Sequence, residues 1–196
     1  MPAGTPLDAD TILAATEEVL RRHGPAKATV LDVARALGVS HTAVYKHFDS
    51  KRALREAVTR RWLGRDRDAL AAIAADAQVP PAQRLRDWLA AMLAAKQAKA
   101  AGDPELFAAY QILAAEHSSV AADHVADLLR QLQVMLADGI LDGTFAGTDP
   151  AAAARTVFDA TIRFHSPAHA SEWQAPGVEA GLSAICSLLL DGLRAR

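Results

Sequence analysis

The sequence predicts an all-α protein of about nine helices. Apolar residues recur at helical spacing in one segment after another, and no strand-like alternation persists beyond a few residues. Hydrophobic residues make up 51% of the 196 residues and aromatic residues only 5%, with alanine abundant, which favours helices packed through small side chains. Proline, glycine and helix-capping residues divide the chain into helical segments. Together these features predict a chain of consecutive packed helices, either as one domain or as a small domain fused to a larger one.

Composition excludes several other classes of protein. The single cysteine, Cys186, rules out a disulfide framework and fits a cytoplasmic location. No apolar run is long enough to span a membrane, and no secretory leader is visible at the start. Residues 1–67 hold 12 Lys/Arg against 8 Asp/Glu, and residues 68–196 hold 9 against 15. This basic head on an acidic body indicates that the head meets phosphate.

The first four predicted helices are bounded by caps and glycines. Thr29 is followed three residues later by Asp32, as in a capping box, and Gly38 ends that helix. Ser40 caps the next helix. The predicted helices are, in order, Asp8 (or Thr5-Pro6) to Gly24-Pro25, Val30 to Leu37, Ser40 to His47, and Lys51 to about Gln78 after the cap Ser50.

Proline mostly marks the starts of the later predicted helices. An Asp-Pro pair is a cap followed by proline at the first helical position, which is a strong start signal. The predicted starts are Pro80-Pro81, Asp103-Pro104, Ser118 or Ser119, Asp149-Pro150 (through about His165) and Pro176, with a loop from Asp138 to Thr148.

Residues 29–51 carry the informative pattern. Two helices of under three turns are joined by Leu37-Gly38-Val39-Ser40, where glycine permits a left-handed backbone and serine caps the second helix. The buried face of the first helix is predicted to consist of Val30, Val33, Ala34 and Leu37. This is the geometry that projects a second helix into the major groove of double-stranded DNA.

The exposed face of that second helix is rich in hydrogen-bond donors and has no acidic residue. Such a surface suits phosphate and base-edge contacts, and Ser40 can also meet phosphate. The alternative is a short solvated helix in an all-α protein. The exposed residues are His41, Thr42, Ala43, Tyr45, Lys46 and His47.

Residues 8–63 resemble the DNA-binding head of tetracycline-repressor-like (TetR-family) regulators. The match consists of T-V-L-D-V-A-R-A-L-G-V-S, then A-V-Y-K-H-F, then S-K-R-A-L. Beyond residue 65 the resemblance is mainly helix number and order. It implies a three-helix helix-turn-helix head at 1–50 and a larger helical domain for effector binding and dimerisation at 51–196. It also implies a homodimeric repressor, released from operator DNA by a small, largely apolar effector.

The resemblance implies roles by position. Thr29, Tyr45, His47 and Lys51 would contact the DNA backbone. Lys46 would contact guanine, and its neighbours His41, Thr42 and Ala43 would read or approach bases. Two departures stand out: Leu31 occupies a position where many members have a polar residue, and Pro25 follows Gly24 where an aromatic is common.

Two apolar stripes near the end of the chain are candidates for a dimer interface, since two helices from each subunit would make a four-helix bundle. The same stripes could instead close the core of the monomer. The resemblance favours the dimer. The predicted interface residues are Val157, Phe158, Ile162, Leu182, Ile185, Leu189 and Leu193.

Between head and bundle, aromatic and sulfur side chains with a few polar tips suit a pocket for an apolar ligand. At helical spacing they are also typical of plain core. The predicted pocket residues are Trp62, Trp88, Met92, Phe107, Tyr110, His117 and His124.

Metal sensing and catalysis are weaker alternatives. His165 and His169 with Glu172 could bind zinc or copper, but Pro167 breaks the helix that would align them. The sequence has no glycine-rich phosphate loop, Gly-x-Ser-x-Gly elbow or paired-histidine zinc motif. We therefore expect a protein that is not an enzyme and needs no metal or cofactor.

Overall fold

The computed structural model describes residues 7–116 and 118–194. Within this part of the chain, the regular secondary structure consists of helices and no strand is present, which confirms the predicted all-α class. None of the helices found there is long and apolar enough to cross a membrane. The α-helices are α1 (Ala9–Lys27), α2 (Val30–Leu37), α3 (His41–Tyr45), α4 (Lys51–Gly64), α5 (Arg67–Ala75), α6 (Pro81–Gly102), α7 (Pro104–Ala115), α8 (Ser119–Leu141), α9 (Pro150–Ala160) and α10 (Val178–Leu193). Two short 3-10 segments span Ile162–Phe164 and Pro167–Glu172.

The chain divides into two compact units. The first contains the residues up to Gly64 together with Asp103–Ala121, so α7 joins the N-terminal helices although a long stretch of chain separates it from them. The second contains Arg65–Gly102 and Ala122–Arg196. In the first unit α1 packs against α2, α4 and α7, and in the second α6 packs against α5 and α10.

The predicted caps of the N-terminal helices are confirmed. Asp8 accepts a hydrogen bond from the Thr11 N–H at 2.7 Å, and Ser50 accepts one from the Ala53 N–H at 3.0 Å. Gly24, at φ 71°, breaks the regular geometry of α1 at the predicted end, and a further turn runs on to Lys27.

Asp103 starts α7 as predicted, but its side chain does not cap the helix. Instead it accepts hydrogen bonds from Arg21 Nε at 2.7 Å and Trp62 Nε1 at 3.3 Å. Its carboxylate thus ties α7 to α1 and α4 inside the first unit.

Four predicted boundaries beyond α3 were wrong. The long helix from Lys51 to about Gln78 is two helices, because α4 ends at Gly64 and α5 begins at Arg67. The predicted loop from Asp138 is helical to Leu141. Gly139 lies inside this helix, where the ring of Phe145 packs on it so closely that a Cβ would overlap the ring. The helix predicted to reach His165 ends at Ala160 and is followed by a 3-10 turn, and α10 begins two residues after Pro176.

Candidate nucleic-acid interface

A glycine turn joins α2 to α3. Gly38 has φ 68° and ψ 28°, the left-handed conformation that glycine adopts at little cost. The Val39 N–H donates to the Ala34 carbonyl at 3.0 Å. The Gly38 N–H bonds the same carbonyl and that of Arg35, so these carbonyls at the end of α2 are satisfied. The predicted turn is confirmed.

Reciprocal capping fixes the start of α2, and a serine cap fixes the start of α3. The Thr29 hydroxyl oxygen accepts from the Asp32 N–H at 3.2 Å, and the Thr29 N–H donates to the Asp32 carboxylate at 3.1 Å, which is the predicted capping box. Ser40 Oγ accepts from the Ala43 N–H at 3.2 Å. These caps hold α2 and α3 with their buried faces inward: Val33, Ala34 and Val44 are at most 2% exposed.

The opposite face of α3 is open to solvent. His41, Thr42, Lys46 and His47 are exposed and Ala43 is half-buried. Tyr45 is 40% exposed, and its ring meets that of His41 edge-on with centroids 6.3 Å apart. The regular helix ends at Tyr45, two residues before the predicted end at His47. The Phe48 N–H nevertheless donates to the Val44 carbonyl at 3.2 Å, so Lys46 and His47 lie in a further helix-like turn.

Two exposed lysines, Lys46 and Lys51, lie at this surface with their charges available for DNA. In the described part of the chain neither Lys46 nor Lys51 forms an ion pair, whereas nearby Arg35 and Arg52 are paired with Asp32 and Glu56. An unpaired exposed ammonium gives up no protein partner when it meets phosphate or a base edge.

Thr29 is differently placed from the lysines. Its hydroxyl lies 2.6 Å from the Asp32 carboxylate, and these hydrogen bonds lower the pKa of Asp32 below its ordinary value. A phosphate approaching Thr29 would therefore meet an ionised carboxylate beside it. The position predicted for a phosphate contact carries a capping role that competes with that contact.

The predicted pocket residues are divided between the two units. In the first unit Trp62, Phe107 and Tyr110 are at most 6% exposed and form a cluster with ring centroids 6.3–6.4 Å apart. Burial raises the pKa of Tyr110 to about 12. In the second unit Trp88 and Met92 are fully buried.

Polar bonds in the second unit involve residues that the sequence analysis missed. Trp88 Nε1 donates to Gln131 at 2.8 Å, and His124 lies 2.8 Å from the ammonium of Lys96. A signal for Lys96 was present: the α6 stripe of Leu89, Met92 and Leu93 reaches position 96 at the same helical spacing. His117 lies outside the described residues.

The predicted interface residues differ sharply in exposure. Val157, Phe158 and Leu182 are at most 6% exposed inside the single chain, so they offer little surface to a partner. Ile162 is 47% exposed, whereas Ile185, Leu189 and Leu193 on α10 are half-buried. The neighbouring Leu188, which was not predicted, is 73% exposed.

No group of three or more His, Cys, Asp or Glu residues is placed to hold a metal ion in residues 7–116 and 118–194. His169 Nδ1 lies 2.9 Å from Glu172, but the buried His165 Nε2 lies 2.9 Å from the Phe158 carbonyl. The histidines that suggested metal sensing therefore have different partners.

An exposed, donor-rich α3 held by a glycine turn in an all-α chain defines a helix-turn-helix protein. A model of the tetracyclin repressor-like C-terminal domain matches residues 81–186, more than half of the chain. A model of the bacterial regulatory proteins of the tetR family matches residues 12–58. The chain belongs to the TetR family, which is a family of regulators.

Individual relatives agree with this assignment. An uncharacterized HTH-type transcriptional regulator from Mycobacterium tuberculosis is 38% identical over 81 residues. That match spans 41% of this chain and 40% of the relative, less than half of either.

Solved structures share the fold over nearly the whole chain. A TetR-family transcriptional regulator from Pectobacterium atrosepticum has a TM-score of 0.70 at 22% identity, covering 96% of this chain and 94% of its own. The regulator FadR from Bacillus subtilis, in complex with stearoyl-CoA, has a TM-score of 0.65 at 19% identity, covering 95% and 100%.

Proposed function

We propose that this protein is a ligand-responsive transcriptional repressor that binds operator DNA as a homodimer. The observation that carries the proposal is the exposed surface of α3, which is rich in donors, has no acidic residue and is held outward by the turn at Gly38. Such a surface matches the acceptor-rich major groove and the phosphates beside it. Because a repressor acts at operator DNA, we expect the protein in the cytoplasm.

Contacts to the DNA divide by chemistry. Lys46, with His41, Thr42 and Ala43 near it on α3, is proposed to meet base edges, with Lys46 donating to guanine. Lys51 at the start of α4 is proposed to meet phosphate, with Tyr45 and His47 contacting the backbone. Thr29 and Ser40 serve first as caps, so their phosphate contacts are secondary in this proposal.

A second copy is needed because one head with so few base contacts gives little specificity. We propose that Ile162, Ile185, Leu189 and Leu193 form the interface, with the exposed Leu188 beside them. Packing inside the single chain leaves these side chains exposed or only half-buried, so they can still bury apolar surface against a partner. In this proposal residues 1–50 read DNA, and residues 51–196 bind the effector and dimerise.

The effector is proposed to bind among the side chains of the larger domain and to favour a spacing of the two heads that misfits DNA. A ligand with equal affinity for both spacings would leave the equilibrium between them unchanged. FadR from Bacillus subtilis has been seen with stearoyl-CoA, so a chain of this fold can hold a molecule with a long apolar part.

Selection from a random pool of duplex DNA tests the proposal. The purified protein is expected to enrich an inverted repeat whose half-sites lie about one helical turn apart, or a multiple of it. A panel of small molecules is then screened for release of that duplex. Enrichment of no sequence would contradict DNA readout, and release by none of a broad panel would contradict ligand response.

A further inference from the structure

A large apolar side chain is exposed on the first turn of α2. Leu31 is 54% exposed, whereas its neighbours Val30 and Val33 are at most 7% exposed. Single exposed leucines are common on protein surfaces. In the described part of the first unit, however, the exposed large hydrophobic side chains are Leu31 and Tyr45. Exposed apolar surface in this unit is thus concentrated on α2 and α3.

The first turn of α2 lies beside the proposed phosphate contact. Thr29 and Val30 line the same small cavity as Lys51, the first residue of α4. Three residues of chain separate Lys51 from His47, which belongs to the donor-rich surface of α3. Because Leu31 follows Val30 directly and is open to solvent, it lies at the edge of the surface proposed to meet DNA.

The polar groups of this turn are engaged in the cap of α2. The Asp32 carboxylate accepts from the Thr29 N–H at 3.1 Å and from Arg35 at 3.3 Å. Hydrogen bonds from Thr29 hold the pKa of Asp32 below its ordinary value, so the carboxylate is ionised and repels a nearby phosphate. Leu31, which is uncharged and takes no part in the cap, can approach a base edge without disturbing these bonds.

The chemistry of a leucine side chain restricts what it can recognise in DNA. It has no hydrogen-bond donor or acceptor, and covering a phosphate or a polar base edge with it would cost the hydration of that group. The apolar group that B-DNA presents in its major groove is the C5-methyl group of thymine, which is contacted by apolar side chains. Burial of that methyl group against leucine removes apolar surface of both partners from water.

We propose that Leu31 contacts the C5-methyl group of one thymine in each half-site and is a specificity-determining residue of this protein. The inference rests on the proposed DNA-binding function and adds a base contact from α2 to those from α3. Since the contact involves no charge, the discrimination it provides should not change with salt concentration, in contrast to the affinity that Lys51 provides.

Uracil tests the contact, because it lacks the methyl group of thymine and keeps the same hydrogen-bonding groups. Each thymine of the selected duplex is replaced by uracil in turn, in both half-sites together, and fluorescence anisotropy measures the affinity of the full-length protein. At one position we expect uracil to weaken binding about 15-fold, which is about fourfold for each methyl group that is no longer buried. The same ratio is expected at low and at moderate salt.

Leu31→Ala is expected to bind the thymine and uracil duplexes alike. The matched control is Leu141→Ala on α8, since Leu141 is also an exposed leucine, at 88%, but belongs to the second unit. This control should show the same loss on uracil as the wild type. The uracil comparison on the wild type needs no variant, so it tests the contact whatever the stability of Leu31→Ala.

Cytosine and 5-methylcytosine at the same position give a second readout of the methyl group. The methylated duplex should bind the wild type about 15-fold more tightly than the unmethylated one, and Leu31→Ala should not distinguish the two. Equal binding of the two duplexes by the wild type would contradict a contact at this methyl position.

Other outcomes also overturn the inference. They are a selected half-site without thymine, a wild type that binds thymine and uracil duplexes alike at every position, and a uracil effect that persists in Leu31→Ala. Each of these results leaves operator binding itself intact. Enrichment of no sequence would instead contradict the proposed function, and the inference with it.

Discussion

Individual side chains at the surface of α3 differ in what they can do, although several carry the same charge. Lys46 lies on the exposed face of the turn after Tyr45, and Lys51 opens α4. A lysine at a base edge contributes discrimination between sequences, whereas a lysine at a phosphate contributes affinity for any sequence. Substitution separates the two roles.

Lys46→Ala is expected to relax the preference at one base position in each half-site. Loss of a good contact to guanine costs about 1–3 kcal/mol of discrimination. The measurement is a repeated selection from random duplex DNA, with Arg130→Ala on α8 as a charge-matched control. An unchanged preference at every position would remove Lys46 from base readout.

Lys51→Ala is expected to weaken binding to all sequences alike. Removing one lysine–phosphate interaction should make the negative slope of log K against log salt concentration shallower by about 0.9. Binding of the selected duplex is measured at several salt concentrations for the variant and the wild type. An identical slope for the two proteins would show that Lys51 meets no phosphate.

At this scale the caps were predictable and the buried polar residues were not. Thr29, Ser40 and Ser50 are signalled by local patterns, because a cap depends on the next three residues alone. The bonds of Lys96 to His124 and of Asp103 to Arg21 and Trp62 join residues far apart in the chain. Sequence periodicity indicates that such positions face inward but does not indicate the partner.

At the scale of elements, the turn between α2 and α3 determines the direction of the reading helix. Gly38 has φ 68°, and a Cβ placed there would meet no atom within 4 Å. The requirement for glycine is therefore conformational and not steric. Gly64, at the end of α4, has equally open surroundings without a positive φ, which makes it a matched control.

Gly38→Ala is expected to destabilise the protein by about 1–2 kcal/mol, the cost of a left-handed backbone for an L-residue. Gly64→Ala should be neutral or stabilise by about 0.4–1 kcal/mol, because it reduces the entropy of the unfolded chain. Denaturant unfolding of the two variants measures the difference. Equal stabilities would show that the turn does not require the left-handed conformation.

Two element boundaries that differ from the predicted ones lie at glycines. The helix α4 ends at Gly64 and α5 begins at Arg67, although apolar residues recur at helical spacing on both sides of this break. The pattern alone therefore predicted one helix instead of two. Gly139 belongs to the segment predicted to be a loop, but it lies inside α8. The residue is glycine because the Phe145 ring occupies the space that a side chain would fill. Glycine thus marks the end of a helix at position 64 and close packing inside a helix at position 139. Only the contact with the Phe145 ring distinguishes the second case from the first.

For the whole molecule, the all-α class and the order of its helices were predictable because helical periodicity persists along the chain. The pocket residues were assigned to one cavity from their shared character, yet Trp62, Phe107 and Tyr110 form a core cluster in one unit while Trp88 and Met92 belong to the other. Composition does not reveal this division, since core and pocket use the same residue types.

Leu189→Asp is expected to convert the proposed homodimer to monomer, because it places a charge among the partly exposed apolar residues of α10. Sedimentation measures the oligomeric state. The control is Leu31→Asp on α2, a leucine that is 54% exposed in the first unit and should leave the dimer intact. A dimer that persists in Leu189→Asp would place the interface elsewhere.

The central claim is that the α3 surface reads duplex DNA. The most direct test compares the affinity of the purified, folded protein for its selected duplex and for a scrambled duplex of equal length at the same salt concentration. We predict at least about 10³-fold tighter binding to the selected duplex, and a much smaller ratio for Lys46→Ala. Equal affinity for the two duplexes, or no binding to either at low salt, would contradict the claim.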